Sequence, residues 1–412
     1  MDVMPILSSL KKRKVATVLV VAQIALCCAV LCNLMSMIGE RVGRLQRDSG
    51  LDEAHVVVVQ VMGGSVADDG AAIARSDLAA IQALPGVAAA STASLVPFAN
   101  GAWNNAVSLQ AGQQHPNLSA STYMGSEQLI SAMGLELVAG REFLPSEFVD
   151  WGARDADGMV TPVPAVIVTR AVAEDLFPDA SAVGEVIYSF GDTPLRVVGV
   201  VERLVRARDG GSSANYEHSI LLPARLPYSG FARYVVRVNS PGDRQRVLKA
   251  AGRAIVQNHP GRILIEAYTG TLEALRENYY RKDRAMVLLL VTFCIALLTV
   301  AALGIVGLAS FWVTQRTRQI GVRRALGATR TDIVRYFQTE NFLLSSAGIV
   351  MGMLFAYAIN RWLMDAYEMS RLSLAYLPAG ALVIWLLGQV AVLLPARRAA
   401  AVPPAMATRN AL

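Results

Sequence analysis

Four long runs without a charged side chain break the mixed apolar and polar pattern of this chain, at residues 15–38, 285–314, 341–360 and 372–396. Roughly 20 apolar residues cross a bilayer core as a helix, so each run predicts a transmembrane helix. The second run is longer than the hydrocarbon is thick and predicts a helix that continues outside it. Upstream of it, Leu272, Leu275 and Tyr279 fall at i, i+3 and i+7 on one face. Just past the first run, Val42 and Leu45 do the same, with Glu40, Arg41, Arg44 and Arg47 beside them. Together these extensions predict a paired helical stalk. In the third run Gly348 and Gly352 make a GxxxG, which permits close helix contact. Pro378 stands near the start of the fourth, where a helix tolerates it.

Between the first and second runs the period changes. Residues 55–61 form a Val-rich strand candidate. Residues 73–84 read as a helix, stopped by Pro85 and Gly86. Strands are predicted at 165–169, 195–201, 220–222, 234–238 and 262–267, and helices at 170–177 and 243–258. The stretch 91–158 is Gly-, Asn- and Ser-rich and less regular, and reads as a separate lobe or as loops. The fold class expected is an α-helical membrane protein of four transmembrane helices with an α+β two-lobed extracytoplasmic domain.

Composition agrees with this division. At 54% hydrophobic and 17% charged, the 412 residues are too apolar for an ordinary soluble protein. The net charge of +6 matters less than its placement. Lys11, Lys12, Arg13 and Lys14 precede the first run. Arg316, Arg318, Arg323, Arg324, Arg330 and Arg335 lie between the second and third, and Arg397, Arg398 and Arg409 follow the fourth. Between the third and fourth, Arg361, Asp365, Glu368 and Arg371 cancel. The positive-inside rule then puts both termini and residues 315–340 in the cytoplasm, and residues 39–284 outside. The same flanking pattern argues against nucleic acid, which needs a folded basic face.

The partition expected is therefore a cytoplasmic segment at 1–14, spans at 15–38, 285–314, 341–360 and 372–396, an extracytoplasmic domain with helical stalk ends at 39–284, a cytoplasmic segment at 315–340 and a tail at 397–412. The first run exceeds the apolar core of a secretory signal and no small-residue cleavage site follows it, so an uncleaved span is expected. Cys27, Cys28, Cys32 and Cys294 all lie in apolar runs. The outer domain must hold together without disulfides. The spans hold almost no ionisable residues, which argues against a solute pathway between them.

Catalytic constellations are missing. The chain has no GxxxxGK[ST] loop to cradle ATP, and no HExxH, CxxC or GxSxG. His55, His115, His218 and His259 are scattered, and Asp68 and Asp69 beside Gly70 lack the ligand order of a cation loop. No catalytic residue and no metal site is expected. The most informative segment is 315–340, QRTRQIGVRRALGATRTDIVRYFQTE. Val322, Ala325 and Leu326 share one face, with Arg323 and Arg324 beside it. Gly327 ends that turn, and Thr329 with Asp332 resembles a capping box opening the next helix. Such a short basic amphipathic helix suits either anionic lipid or the groove of a soluble partner. Glu340, at the membrane edge, is a candidate ion-pair partner for an arginine of this segment.

These residues carry a resemblance. Residues 315–328, with an R-x-I-G-x-x-R-A-L-G-A core, resemble the cytoplasmic segment of FtsX-type permeases, and 395–405, PARRAAAVPPA, resemble their terminal motif. Residues 133–143, 165–183 and 196–201 are similar to the extracytoplasmic domain of MacB-like exporters. The resemblance spans nearly the whole chain in the expected order. It implies a dimeric, non-enzymatic permease that transmits force: an ABC ATPase binds ATP and Mg, and its closure passes through a coupling helix into the spans and the outer domains. The coupling residues implied are Ile320, Gly321, Val322, Arg323, Arg324, Ala325, Leu326, Gly327 and Ala328. No cofactor is bound by the chain itself. Implied partners are the ATPase, a second permease copy or paralogue, membrane lipids and, left open, a periplasmic membrane-fusion protein. The implied location is the bacterial inner membrane. MacB-like exporters carry a fused ATPase before the first span, whereas residues 1–14 precede it here, so a separate ATPase chain is expected. Export is the leading function. Regulation of a cell-wall hydrolase and lipoprotein release are the alternatives.

Overall fold

The computed structural model describes residues 14–64, 69–99, 101–152, 162–208, 215–367 and 373–401. Asp68 and the tail motif beyond residue 401 lie outside the described residues. The chain forms two compact units, one of Met1–Leu45 with Asp283–Leu412 and one of Gln46–Lys282.

Helix α1 (Lys14–Leu45) is the first described element. The second unit then runs through β1 (Val56–Gly63), α2 (Gly70–Gln82), β2 (Val87–Thr92), β3 (Asn104–Val107), β4 (Leu118–Gly125), α3 (Leu129–Met133), β5 (Leu137–Gly140), β6 (Val149–Asp150), β7 (Ala165–Thr169) and α4 (Arg170–Leu176). It continues with β8 (Val186–Ser189), β9 (Thr193–Val201), β10 (Ser219–Arg225), β11 (Phe231–Val238), α5 (Arg244–Asn258), β12 (Arg262–Leu264), β13 (Gly270–Thr271) and α6 (Leu272–Tyr279). The remaining helices are α7 (Arg281–Gln315), α8 (Thr317–Ala325), α9 (Arg330–Tyr367) and α10 (Tyr376–Ala400).

Two sheets make the two lobes of the second unit. In the first, the order β12–β1–β11–β2 is antiparallel throughout, and β13 adds to β1. Val57, Val59 and Val61 point to one face of β1. There they meet Ile73 and Ile81 of α2 and Val247, Ala251 and Ile255 of α5. The α5 residues are four apart and the α2 residues eight apart, spacings that line one helix face. In the second sheet the order is β3–β4–β10–β7–β9–β5, with β6 on β10 and β8 on β9. Its β4–β10 and β7–β9 pairs are parallel. The core beneath it gathers Met124, Val166, Val168, Val172, Ile187, Leu195, Val197, Ile220 and Leu222. The described residues of 91–158, the irregular stretch of the sequence, supply β3, β4, α3, β5 and β6 and so belong to a lobe rather than to loops alone.

Helix α6 corrects the expected stalk. Leu272 and Leu275 are buried, and Thr271 caps the helix by accepting from Ala274 N at 3.3 Å. The helix closes at Tyr280, and α7 begins afresh at Arg281. Residues 272–279 therefore belong to the second unit. The extension of α7 past its apolar run is instead tied to that of α1 by Arg41 and Asp283 at 2.5 Å.

In the first unit, α1, α7, α9 and α10 are each long and apolar enough to cross a membrane. Sequence explains why α9 can lie against α1. A Cβ on Gly352 would stand 2.6 Å from the Ala25 carbonyl oxygen and 2.7 Å from Cys28 Cβ, and one on Gly348 would stand 2.7 Å from Ile24 Cγ2. The GxxxG thus faces a helix backbone. Gly352→Val is expected to cost about 1–3 kcal/mol by overpacking, seen as a lowered melting midpoint of the detergent-purified chain. Gly307→Ala, where nothing lies within 4 Å of the added carbon, is the expected neutral control.

Candidate functional site

Arg316 interrupts the chain between α7 and α8, and Gly327, at φ +99°, ends the segment in the left-handed region that glycine enters without strain. The reciprocal cap follows. Thr329 N donates to Asp332 Oδ2 at 3.0 Å, and Asp332 N donates to Thr329 Oγ1 at 3.2 Å. This cap starts α9, so the turn between α8 and α9 is fixed at both sides.

The segment has a seated face and a bare one. Ile320 is buried in a cluster with Ile305, Ala309, Ile333, Phe337, Val392 and Ala396, and Ala328 packs against its edge. Gly321 is buried beside it. Opposite, Val322 is 50% and Leu326 83% exposed, and Ala325 and Gly327 are exposed with them. Among the described residues, this apolar pair four residues apart is covered by nothing.

The arginines serve the seat. Arg324 donates from Nη1 to the carbonyl of Ala400 at 3.0 Å, at the C-terminal end of α10, where the helix dipole favours a cation. Arg323 is exposed and its guanidinium lies 4.8 Å from the centroid of the Tyr336 ring, within cation–π range. Glu340 is paired with Arg316. Nη1 donates to Oε2 at 2.7 Å and Nη2 to Oε1 at 3.0 Å, with the two side chains 6% and 2% exposed. This is the parallel two-bond geometry of a strong guanidinium–carboxylate pair. Arg316 and Tyr336 stood in the sequence only as a loop charge and an unremarked aromatic. The signal available for them was a carboxylate within helical reach of a basic segment.

Among the described residues, no three of His, Cys, Asp and Glu gather as they would for a metal ion. His55 pairs with Asp52 at 2.8 Å. His218 is buried and pairs with Asp175 at 3.0 Å. Burial pushes the His218 imidazole below its ordinary value, outweighing the pull of Asp175. Asp69 caps α2 by accepting from Ala72 N at 2.8 Å, a structural task.

The sequence profile of the MacB-like periplasmic core domain matches residues 17–254, more than half of the chain. The chain belongs to the MacB-like permease family. Residues 291–404 of this MacB-like permease, which include α8 and its seat, match the C-terminal domain of FtsX-like permeases. A macrolide export ATP-binding/permease protein MacB of Chromobacterium violaceum is 30% identical over 47% of this chain and 30% of its own length. The uncharacterized ABC transporter permease YknZ of Bacillus subtilis is 26% identical over 67% of this chain and 66% of its own. The MacB-like permease thus spans about a third of the MacB relative and about two thirds of YknZ. Among solved structures, the extracellular domain of YknZ aligns over 51% of this chain and all of that domain, at 14% identity and a TM-score of 0.32. The periplasmic region of MacB from Actinobacillus actinomycetemcomitans aligns over 57% of this chain and 96% of that region, at 12% identity and a TM-score of 0.33. The MacB-like permease thus combines four helices long and apolar enough to cross a membrane with an α/β domain that matches the MacB-like periplasmic core.

Proposed function

We propose that the chain is the permease subunit of an ABC-type export complex, driven by an ATPase carried on another polypeptide. The observation that carries this reading is the two-sided build of α8. Its inner face is fixed to α7, α9 and α10 through Ile320, Arg324 and the neighbouring Arg316–Glu340 pair, while Val322 and Leu326 are left bare. A partner that grips Val322 and Leu326 moves a segment rigidly tied to three membrane helices. The basic loops favour a cytoplasmic α8 by the positive-inside rule, and the outer domain then moves in answer. Motion passes between helices with few charges, which suits force transmission better than a solute path. The permease acts as a dimer with a second copy or a paralogue, and ATP and Mg are held by the ATPase.

The experiment is co-purification from the native membrane, followed by ATPase assay with the permease in lipid nanodiscs. Val322→Asp with Leu326→Asp is expected to cut stimulation by about tenfold or more, the equivalent of ~1.4 kcal/mol of docking energy, with membrane insertion unchanged. Arg323→Glu with Arg324→Glu is expected to reduce it too, by loosening the seat. Stimulation that survives the Val322 and Leu326 changes would overturn the reading.

A further inference from the structure

Where α7, α9 and α10 meet, three buried polar atoms have no hydrogen-bond partner among the described residues: Trp312 Nε1, Asn341 Nδ2 and Ser345 Oγ. Their residues are 7%, 6% and 0% exposed. Asn341 and Ser345 face α10 at Gly388, where a Cβ would lie 2.9 Å from Asn341 Nδ2 and 3.2 Å from Ser345 Oγ. Trp312 and Asn341 line a void of about 20 Å³ together with Glu340 and a mostly apolar wall that includes Val20, Leu308 and Val392.

Leaving a buried donor unpaired costs about 1–3 kcal/mol, so two such donors on one void call for an occupant. Its chemistry is constrained. An indole N–H and an amide N–H only donate, so the occupant must accept at least two hydrogen bonds. That excludes an apolar group and a metal cation. An anion is excluded by the Glu340 carboxylate on the same wall. Glu340 has accepting capacity left, because Arg316 takes one bond at each oxygen of a group with about four acceptor sites. The occupant therefore accepts twice and donates at least once. A water molecule does this, and it needs only roughly 10–15 Å³ of free volume.

We propose that this void is a binding site for one water molecule, which accepts from Trp312 and Asn341 and donates to the carboxylate of Glu340. It extends the Arg316–Glu340 pair into a polar joint between α7 and α9. Because a bound water reorients freely, the joint keeps its hydrogen bonds through small displacements of either helix. The site stands whether or not an ATPase docks on α8.

Two measurements on the full chain test it. In a map of the protein in nanodiscs that resolves ordered water, a peak is expected about 2.7–3.2 Å from both Trp312 Nε1 and Asn341 Nδ2. A dry void, or an indole nitrogen that donates directly to Glu340, overturns the proposal. In a double-mutant cycle, Trp312→Phe and Asn341→Leu are each expected to lower the melting midpoint by about 2–4 °C. The double variant is expected to fall no further than the worse single, since both losses act through one shared water. Strict additivity overturns it. If the variants do not fold, the wild-type map decides alone.

Discussion

Asp77→Ala is expected to destabilise the first lobe of the MacB-like domain by about 3–5 kcal/mol, the cost of stripping one partner from a buried ion pair. Asp77 sits between Ile73 and Ile81 on the buried stripe of α2, at a position that helical spacing reserves for an apolar residue. It is there because β12 brings Arg262 to the same place. Arg262 Nη1 donates to Asp77 Oδ2 at 2.5 Å and Nη2 to Oδ1 at 2.9 Å, with the side chains 1% and 0% exposed. Tyr234 donates to Oδ2 at 2.6 Å and Asn258 to Oδ1 at 3.0 Å. Four elements, α2, β11, α5 and β12, converge on one carboxylate.

Burial alone would raise the Asp77 pKa. The donors from Arg262, Tyr234 and Asn258 and the Arg262 charge outweigh it and hold the group below the ordinary value of 3.8. A carboxylate depressed by folding stabilises fully above its unfolded pKa, and the contribution fades as pH falls through the lower folded value. The lobe should therefore be indifferent to mild acid and lose this contribution only below about pH 3.8. Hydrogen exchange read on peptides of α2 and α5 checks both statements. Protection is expected to fall in Asp77→Ala and to recover in part in Asp77→Leu with Arg262→Met, where neither charge is left buried. Unchanged protection in Asp77→Ala would show that the network is ornamental.

The elements that declared themselves in the sequence are those whose burial is made by apolar side chains. β1, β7, α2 and α5 read directly from Val runs, four-residue spacing and a Pro-Gly stop. β4 did not. Its sequence LSASTYMG looks like loop, yet from Ala120 onward it is buried, with neighbours on both edges. Its polar side chains are satisfied locally: Ser121 donates to Asn104, Thr122 accepts from Asn105, and Tyr123 donates to the Val205 carbonyl. Hydropathy is blind to a strand that buries satisfied polar groups. The same blindness hid the partners of Asp77. Along α8 the bare face of Val322, Ala325 and Leu326 was legible, because helical spacing is local. The seat was legible only in part: Glu340 stood out as a partner for an arginine of the segment, but which arginine it takes, and the bond from Arg324 to Ala400, join residues far apart in sequence.

The second large effect is expected at that seat. Glu340→Ala leaves the Arg316 guanidinium without its two-bond partner in a place where it is almost fully buried, and a loss of about 3–5 kcal/mol is expected. Glu340→Gln keeps the shape but removes the charge, and should fall between the wild type and the alanine variant. The informative variant is the double replacement Arg316→Met with Glu340→Leu. Two apolar side chains of similar bulk remove both desolvation costs, so much of the stability should return. The pair's other property would not return. Two parallel hydrogen bonds fix the angle of α8 against α9, whereas apolar contact between flexible side chains permits it to slip. The double variant should therefore melt near the wild type and, under the proposed function, pass less of an ATPase partner's motion into the bundle. Melting midpoint and ATPase stimulation in the same nanodiscs separate the two roles. If stimulation recovers along with stability, the pair serves only to hold the helices together. If stability recovers and stimulation does not, the pair sets the angle through which force enters the membrane.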